Sequence, residues 1–138
     1  MKPVTNAPLG KDALALAGLF LAAGTMHFVK PAPFESMVPR LLPQRRALVY
    51  VSGAAELACA VGLLFPQTRK VAGIASAVLL VAVFPANVTM TAQAGRGVSR
   101  DPHSTAKQGY LAATVARLPL QWPMIRTALR AAGVMRRT

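Results

Sequence analysis

Four stretches of the chain are nearly free of charge, and clusters of basic residues separate them. Between Lys11 and Lys30 the only charged side chain is Asp12, directly after the lysine. Between Arg46 and Arg69 it is Glu56, residues 71–95 carry none, and residues 110–124 carry Arg117 alone. A soluble amphipathic helix would show a polar side chain every third or fourth position. Residues 71–83 are polar only at Ser76. Runs of this length with cationic flanks predict membrane-crossing helices. The expected fold is all-α, an integral membrane four-helix transmembrane bundle, with spans at about 12–29, 47–65, 71–92 and 110–129. It forms a single membrane domain over residues 1–138. Lys2 and Lys11 before the first run, and the small residues of Leu21-Ala22-Ala23-Gly24 within it, give it some likeness to a secretory leader. Its length and the three runs that follow assign it as a span.

Between the first two runs the pattern changes. Phe34, Met37, Val38, Leu41 and Leu42 repeat at the spacing of one helical face, which predicts a short interfacial helix at about 33–43. Pro31 and Pro33 suit its first turn, and Pro39 and Pro43 bend or end it. The turn Phe65-Pro66-Gln67-Thr68-Arg69-Lys70 forces the second and third spans into an antiparallel hairpin. In the second span, Ala54, Ala58 and Gly62 form a small-residue seam for close helix packing.

Composition narrows the classes. The chain has 138 residues, 54% of them apolar and 14% charged, with a mean hydropathy of +0.42. Ordinary soluble domains carry about 25% charged residues, and disorder requires low hydrophobicity. The net charge of +12 has the sign of a nucleic-acid binder, but its residues divide between the two ends of the spans. Lys2, Lys11, Arg69, Lys70, Arg126, Arg130, Arg136 and Arg137 fall on one face, side A, together with both termini. Lys30, Arg40, Arg45, Arg46, Arg96, Arg100 and Lys107 fall on the other, side B. No continuous groove for nucleic acid follows. Eight against seven gives no strong positive-inside bias; it leans to cytoplasmic termini and also fits dual insertion or a homodimer. Cys59 is the sole cysteine, which excludes an internal disulfide and a CxxC redox pair. His103 lies close to Asp101, yet no residues have metal-ligand spacing, so no metal site is expected.

The polar groups inside the runs carry the functional expectation, since ionisable residues in a membrane are costly. His27 is near the side-B end of the first span. At ~1.5 Å per residue, Glu56 lies about 13 Å into the second and Arg117 about 10 Å into the fourth. Asn87 follows Pro85 in the third, and Gln121 stands one turn beyond Arg117. Glu56 and Arg117 are expected to meet, directly or through one water or Asn87, because a guanidinium can grip a carboxylate through two hydrogen bonds. Asn87 is expected to satisfy backbone freed by the Pro85 kink. His27, Glu56, Asn87, Arg117 and Gln121 are thus the candidates for ligand binding or proton handling.

Several blocks resemble DoxX-like membrane proteins. Gly24-Thr25-Met26-His27-Phe28-Val29-Lys30-Pro31 and Phe34-Glu35-Ser36-Met37-Val38-Pro39 resemble the ending of that family's first span. Leu48-Val49-Tyr50-Val51-Ser52-Gly53-Ala54-Ala55-Glu56 and Gly62-Leu63-Leu64-Phe65-Pro66-Gln67-Thr68-Arg69 resemble its second. Val83-Phe84-Pro85-Ala86-Asn87 and Arg117-Leu118-Pro119-Leu120-Gln121 continue the pattern in order. The resemblance implies a multi-pass protein of the bacterial inner (cytoplasmic) membrane, with those five residues as its polar signature. It also implies an association with oxidoreductase systems, through thiosulfate–quinone oxidoreductase subunits and membrane-associated oxidoreductase complexes. Relatives with a thiol-redox role use paired cysteines, which Cys59 alone does not supply. The expected role is a non-catalytic membrane subunit that binds a small hydrophobic ligand, a quinone or lipid, beside an oxidoreductase partner. No covalent cofactor is expected. The alternatives are a proton-coupled small-molecule transporter and a structural or assembly factor in the membrane.

Overall fold

The computed structural model describes residues 7–136. Lys2 and Arg137, two of the side-A charges, lie outside the described residues. Within them the chain forms five helices and no strand: α1 (Lys11–Val29), α2 (Pro31–Met37), α3 (Arg45–Leu64), α4 (Arg69–Arg100) and α5 (Thr105–Ala131). The all-α expectation holds. Helices α1, α3 and α4 are long and apolar enough to cross a membrane. Helix α5 is long enough but not apolar enough, since Arg117, Pro119, Gln121 and Pro123 interrupt its central stretch. Among the large apolar side chains left exposed are Leu14, Val51, Val71, Val78, Val81 and Leu120, spread over all four long helices.

The helices begin and end where local chemistry dictates, while hydropathy marks only their apolar parts. Helix α4 outruns its expected span by eight residues, because nothing stops it between Ala92 and the Asp101-Pro102 step. Its 32 residues correspond to about 48 Å, against a hydrocarbon core of about 30 Å. Helix α5 starts five residues before the expected span, where Ser104 accepts a hydrogen bond from the Lys107 backbone N–H. It ends at Gly133, whose φ of 74° allows the Val134 N–H to reach the Leu129 carbonyl at 3.0 Å. Pro85, Pro119 and Pro123 all sit inside helices.

Each long helix runs antiparallel to the next, with α1 packed on α3, α3 on α4, α4 on α5, and α1 on α5. Leu16, Ala17 and Phe20 of α1, Cys59, Ala60 and Leu63 of α3, Ala72, Ala77 and Leu80 of α4, and Ala128 of α5 form one core. It lies towards side A. There the hairpin between α3 and α4 is tied by Thr68, whose hydroxyl donates to the Gly62 carbonyl at 2.8 Å. Arg69 Nε donates to the Leu63 carbonyl at 3.0 Å, covering the end of α3.

Two expectations are corrected. The interfacial helix stops at Met37 rather than reaching residue 43. Val38 precedes Pro39 and is therefore extended, with ψ at 128°, and Leu41 is 96% exposed. Ala54 and Ala58 do not form a seam; both face outward. The buried face of α3 is instead Val49, Gly53, Glu56, Cys59, Ala60 and Leu63, the side that carries the carboxylate. The close approaches occur where glycines meet backbone. A Cβ on Gly53 would stand 2.6 Å from the His27 Cβ and 3.1 Å from the Gly24 carbonyl. One on Gly73 would stand 2.6 Å from the Ala128 carbonyl. Gly62 does contribute to packing, but against Ala72 across the hairpin.

Candidate functional site

Helices α3 and α4 touch tightly at the Gly62–Ala72 turn and enclose a crevice towards side B. Its cavity of about 360 Å³ is lined by α3 through Leu48, Val51, Ser52, Ala55 and Glu56, and by α4 through Leu79, Ala82, Val83, Ala86 and Asn87. Helix α2 and the segment after it cover the side-B end with Phe34, Met37, Val38, Pro39 and Leu42. The walls are apolar. The polar groups are His27 of α1, Ser52 and Glu56 of α3, Asn87 of α4 and Arg117 of α5. Four of the five sequence candidates therefore border one space.

The cover is fastened at several points. Glu35 of α2 pairs with Arg46 at the start of α3. Gln93 Nε2 of α4 donates to the Ser36 carbonyl at 2.5 Å. The Phe34 ring stacks on His27 with centroids 4.0 Å apart, and Phe28 stacks on Tyr50 at 5.4 Å. His27 is consequently 8% exposed, a buried side chain beneath a cover rather than a hydrated one at the mouth.

The expected direct pair between Glu56 and Arg117 is not formed. Among the described residues the ion pairs are Glu35–Arg46 and Asp101–Lys107, and the group nearest the Glu56 carboxylate is the His27 ring. The close approach of Gly24 to Gly53 brings α1 against α3 one turn from Glu56, so His27 takes the place beside the carboxylate. Its Nδ1 lies 3.4 Å from Glu56 Oε2. The stronger contact of that nitrogen is to the Ala23 carbonyl at 2.6 Å. A carbonyl only accepts, so Nδ1 carries a proton and donates it to Ala23. Glu56 Oε2 is left with no hydrogen-bond partner, although the side chain is about nine-tenths buried.

Asn87 is not spent on the proline kink either. Its Nδ2 donates to Gln121 Oε1 at 3.0 Å, joining α4 to α5. Gln121 Nε2 in turn donates to the Leu80 carbonyl, the residue before the one whose amide partner Pro85 removes. Gln121 thus sits behind the crevice as a support. A second cavity of about 20 Å³ borders Glu56, Asn87, Arg117 and Gln121, a polar space large enough for one bridging water. Replacing Asn87 or Gln121 with alanine is expected to lower stability by about 1 kcal/mol each. The double variant is expected to lose less than the sum, as read from unfolding curves in mixed detergent. Additive losses would show that the two amides do not depend on each other.

The apolar walls were not among the residues singled out from sequence. Nor were Gly24 and Gly53, whose signal was present as a glycine in each of two adjacent spans. Among the described residues no three His, Cys, Asp or Glu side chains converge as a metal site would need. A family model described as a domain of unknown function (DUF8561) matches residues 16–132, which includes every residue of the crevice. No curated protein and no solved structure matches the chain.

Proposed function

The chain belongs to the DUF8561 family, and from its crevice we propose that it is a multi-pass membrane protein that binds a small hydrophobic ligand with a polar head. The observation that carries this reading is a buried carboxylate, Glu56, that borders an apolar crevice with its Oε2 unpartnered. Pockets of about 300–1,000 Å³ with apolar walls and a few convergent polar groups are the usual form of small-molecule sites. A purely structural lock would satisfy its own polar atoms, since leaving one unmade costs about 1–3 kcal/mol.

In this reading α5 is the fourth span of a transmembrane bundle. Its antiparallel packing along α4, and its contact with α1, support that placement. Its composition fits because Arg117 and Gln121 turn to the crevice and to Leu80. Helix α2 lies at the interface as a cover. The resemblance to DoxX-like proteins supports a place in the bacterial inner membrane, beside an oxidoreductase, with a quinone as the ligand and no covalent cofactor. Four spans put both ends of the chain on one face, so cytoplasm-only reporters fused at either end are expected to give matching signals. Opposite signals would remove the fourth span. The ligand is tested by purification in mild detergent followed by mass spectrometry of retained small molecules. One defined species at a fixed ratio to protein is expected, and protein that carries bulk phospholipid alone would contradict the reading.

One observation favours proton-coupled transport as a second reading. A carboxylate beside a histidine and free of a direct guanidinium contact is better able to exchange a proton than one held by Arg117. An antiparallel dimer that releases protons on ligand binding would favour transport over a subunit role.

A further inference from the structure

The head group that the crevice can hold is set by which hydrogen-bonding groups its walls leave open. On the α3 side the open group is an acceptor. Glu56 borders both cavities and its Oε2 makes no hydrogen bond, and an ionised carboxylate offers only acceptors. On the α5 side the open groups are donors. Arg117 borders both cavities, and among the described residues its guanidinium makes no hydrogen bond or ion pair of its own. Asn87 is already committed through one amide hydrogen to Gln121.

Resting on the binding reading above, we propose that the crevice takes neutral amphiphiles whose head is a hydroxyl on an apolar body, of the phenol class, in preference to the matching ethers and ketones. A hydroxyl both donates and accepts. It can give its proton to Glu56 while its oxygen accepts from Arg117. An ether or ketone oxygen only accepts, so it satisfies Arg117 and leaves the carboxylate facing another lone pair. An ammonium head only donates and meets the charge of Arg117. Glu56 and Arg117 contribute opposite charges, so a neutral head leaves the sum at zero. If the ligand is a quinone, its reduced, hydroxyl-bearing form belongs to the preferred class and its oxidised carbonyl form does not.

The walls explain the apolar body. Val51 is 67% exposed although it lines the cavity, and Leu48 and Ala82 are also exposed there. The crevice therefore opens sideways between α3 and α4, at the depth of the lipid tails, and is covered on the side-B end by Phe34 and Met37. A lipophilic molecule can enter from the bilayer and leave its tail among the acyl chains.

The test uses the full chain in lipid nanodiscs and two labelled probes of like size, para-octylphenol and its methyl ether, para-octylanisole. Binding is counted as the part displaced by excess unlabelled probe. The phenol is expected to bind about tenfold tighter or more, the ratio for one hydrogen bond to a charged acceptor. Glu56→Leu is expected to bring the two probes close to equality by weakening the phenol alone. If that variant does not fold, the comparison on the unaltered protein decides. Equal displaceable binding of both probes there would overturn the hydroxyl preference and leave the binding reading standing. Displaceable binding of neither would overturn both.

Discussion

Replacing His27 with alanine is expected to strip the protein of its retained ligand and to cost it measurable stability as well. The ring is packed, not merely placed: it stacks on Phe34 at 4.0 Å and gives its Nδ1 proton to the Ala23 carbonyl at 2.6 Å. Losing the stack costs about 0.5–1.5 kcal/mol. His27→Phe separates chemistry from packing, since a phenyl ring keeps the stack against Phe34 and removes both nitrogens. Both variants are expected to show ligand content at least about tenfold below the parent, from the loss of the ring nitrogens beside Glu56. His27→Ala alone is expected to show the larger drop in melting temperature. Measured ligand-to-protein ratios and thermal melts in the same detergent check both halves. Full ligand content in His27→Phe would leave the polar cluster with a structural role only.

The largest stability effect is expected from a methyl group at Gly53. The Cβ of Gly53→Ala would meet the His27 Cβ at 2.6 Å and the Gly24 carbonyl at 3.1 Å. Neither atom is the free end of a flexible side chain, so α1 and α3 have to separate. Overpacking of this kind costs about 1–3 kcal/mol. The same movement draws His27 from its 3.4 Å approach to Glu56 and unseats the stack that holds the cover. Gly18 is the internal control, because a Cβ there meets nothing within 4 Å. Gly18→Ala is expected to stabilise α1 by about 0.5–1 kcal/mol through the lower conformational entropy of alanine. Opposite shifts in melting temperature for two glycine-to-alanine changes, with ligand loss in Gly53→Ala alone, are the expected pattern. Equal shifts would mean that α1 and α3 do not meet at this point.

What could be read in advance follows from the kind of signal each feature leaves. The nearly charge-free runs that follow Asp12, Arg46 and Lys70, and the one around Arg117, locate the long helices, because hydropathy acts over many residues at once. Boundaries are set by single residues, such as the Ser104 cap and the Val38-Pro39 step, so α5 began earlier and α2 ended sooner than the apolar pattern implied. The polar residues of the site stood out in sequence because each interrupts an apolar run. Their pairing did not. Glu56 and Arg117 are the opposite charges of greatest depth, yet which side chain reaches the carboxylate depends on the rotation of α1 against α3. Gly24 and Gly53 fix that rotation through a contact between chain segments far apart in sequence. The small-residue pattern at Ala54 and Ala58 pointed to the wrong face for the same reason. Alanines tolerate lipid as readily as a helix neighbour, so spacing alone cannot orient them.

The proposed small molecule, with its head at Glu56, would occupy the crevice between α3 and α4. A photo-crosslinking residue placed at Val51, on the wall of the crevice, compares directly with one at Val61, which is exposed on the same helix but does not border the cavity. After irradiation in native membranes, mass spectrometry of the adducts reads what each position touches. A defined non-phospholipid adduct is expected at Val51, absent at Val61 and lost when Glu56→Gln is added. The same phospholipid adducts at both positions, unchanged by Glu56→Gln, would contradict the proposed occupancy.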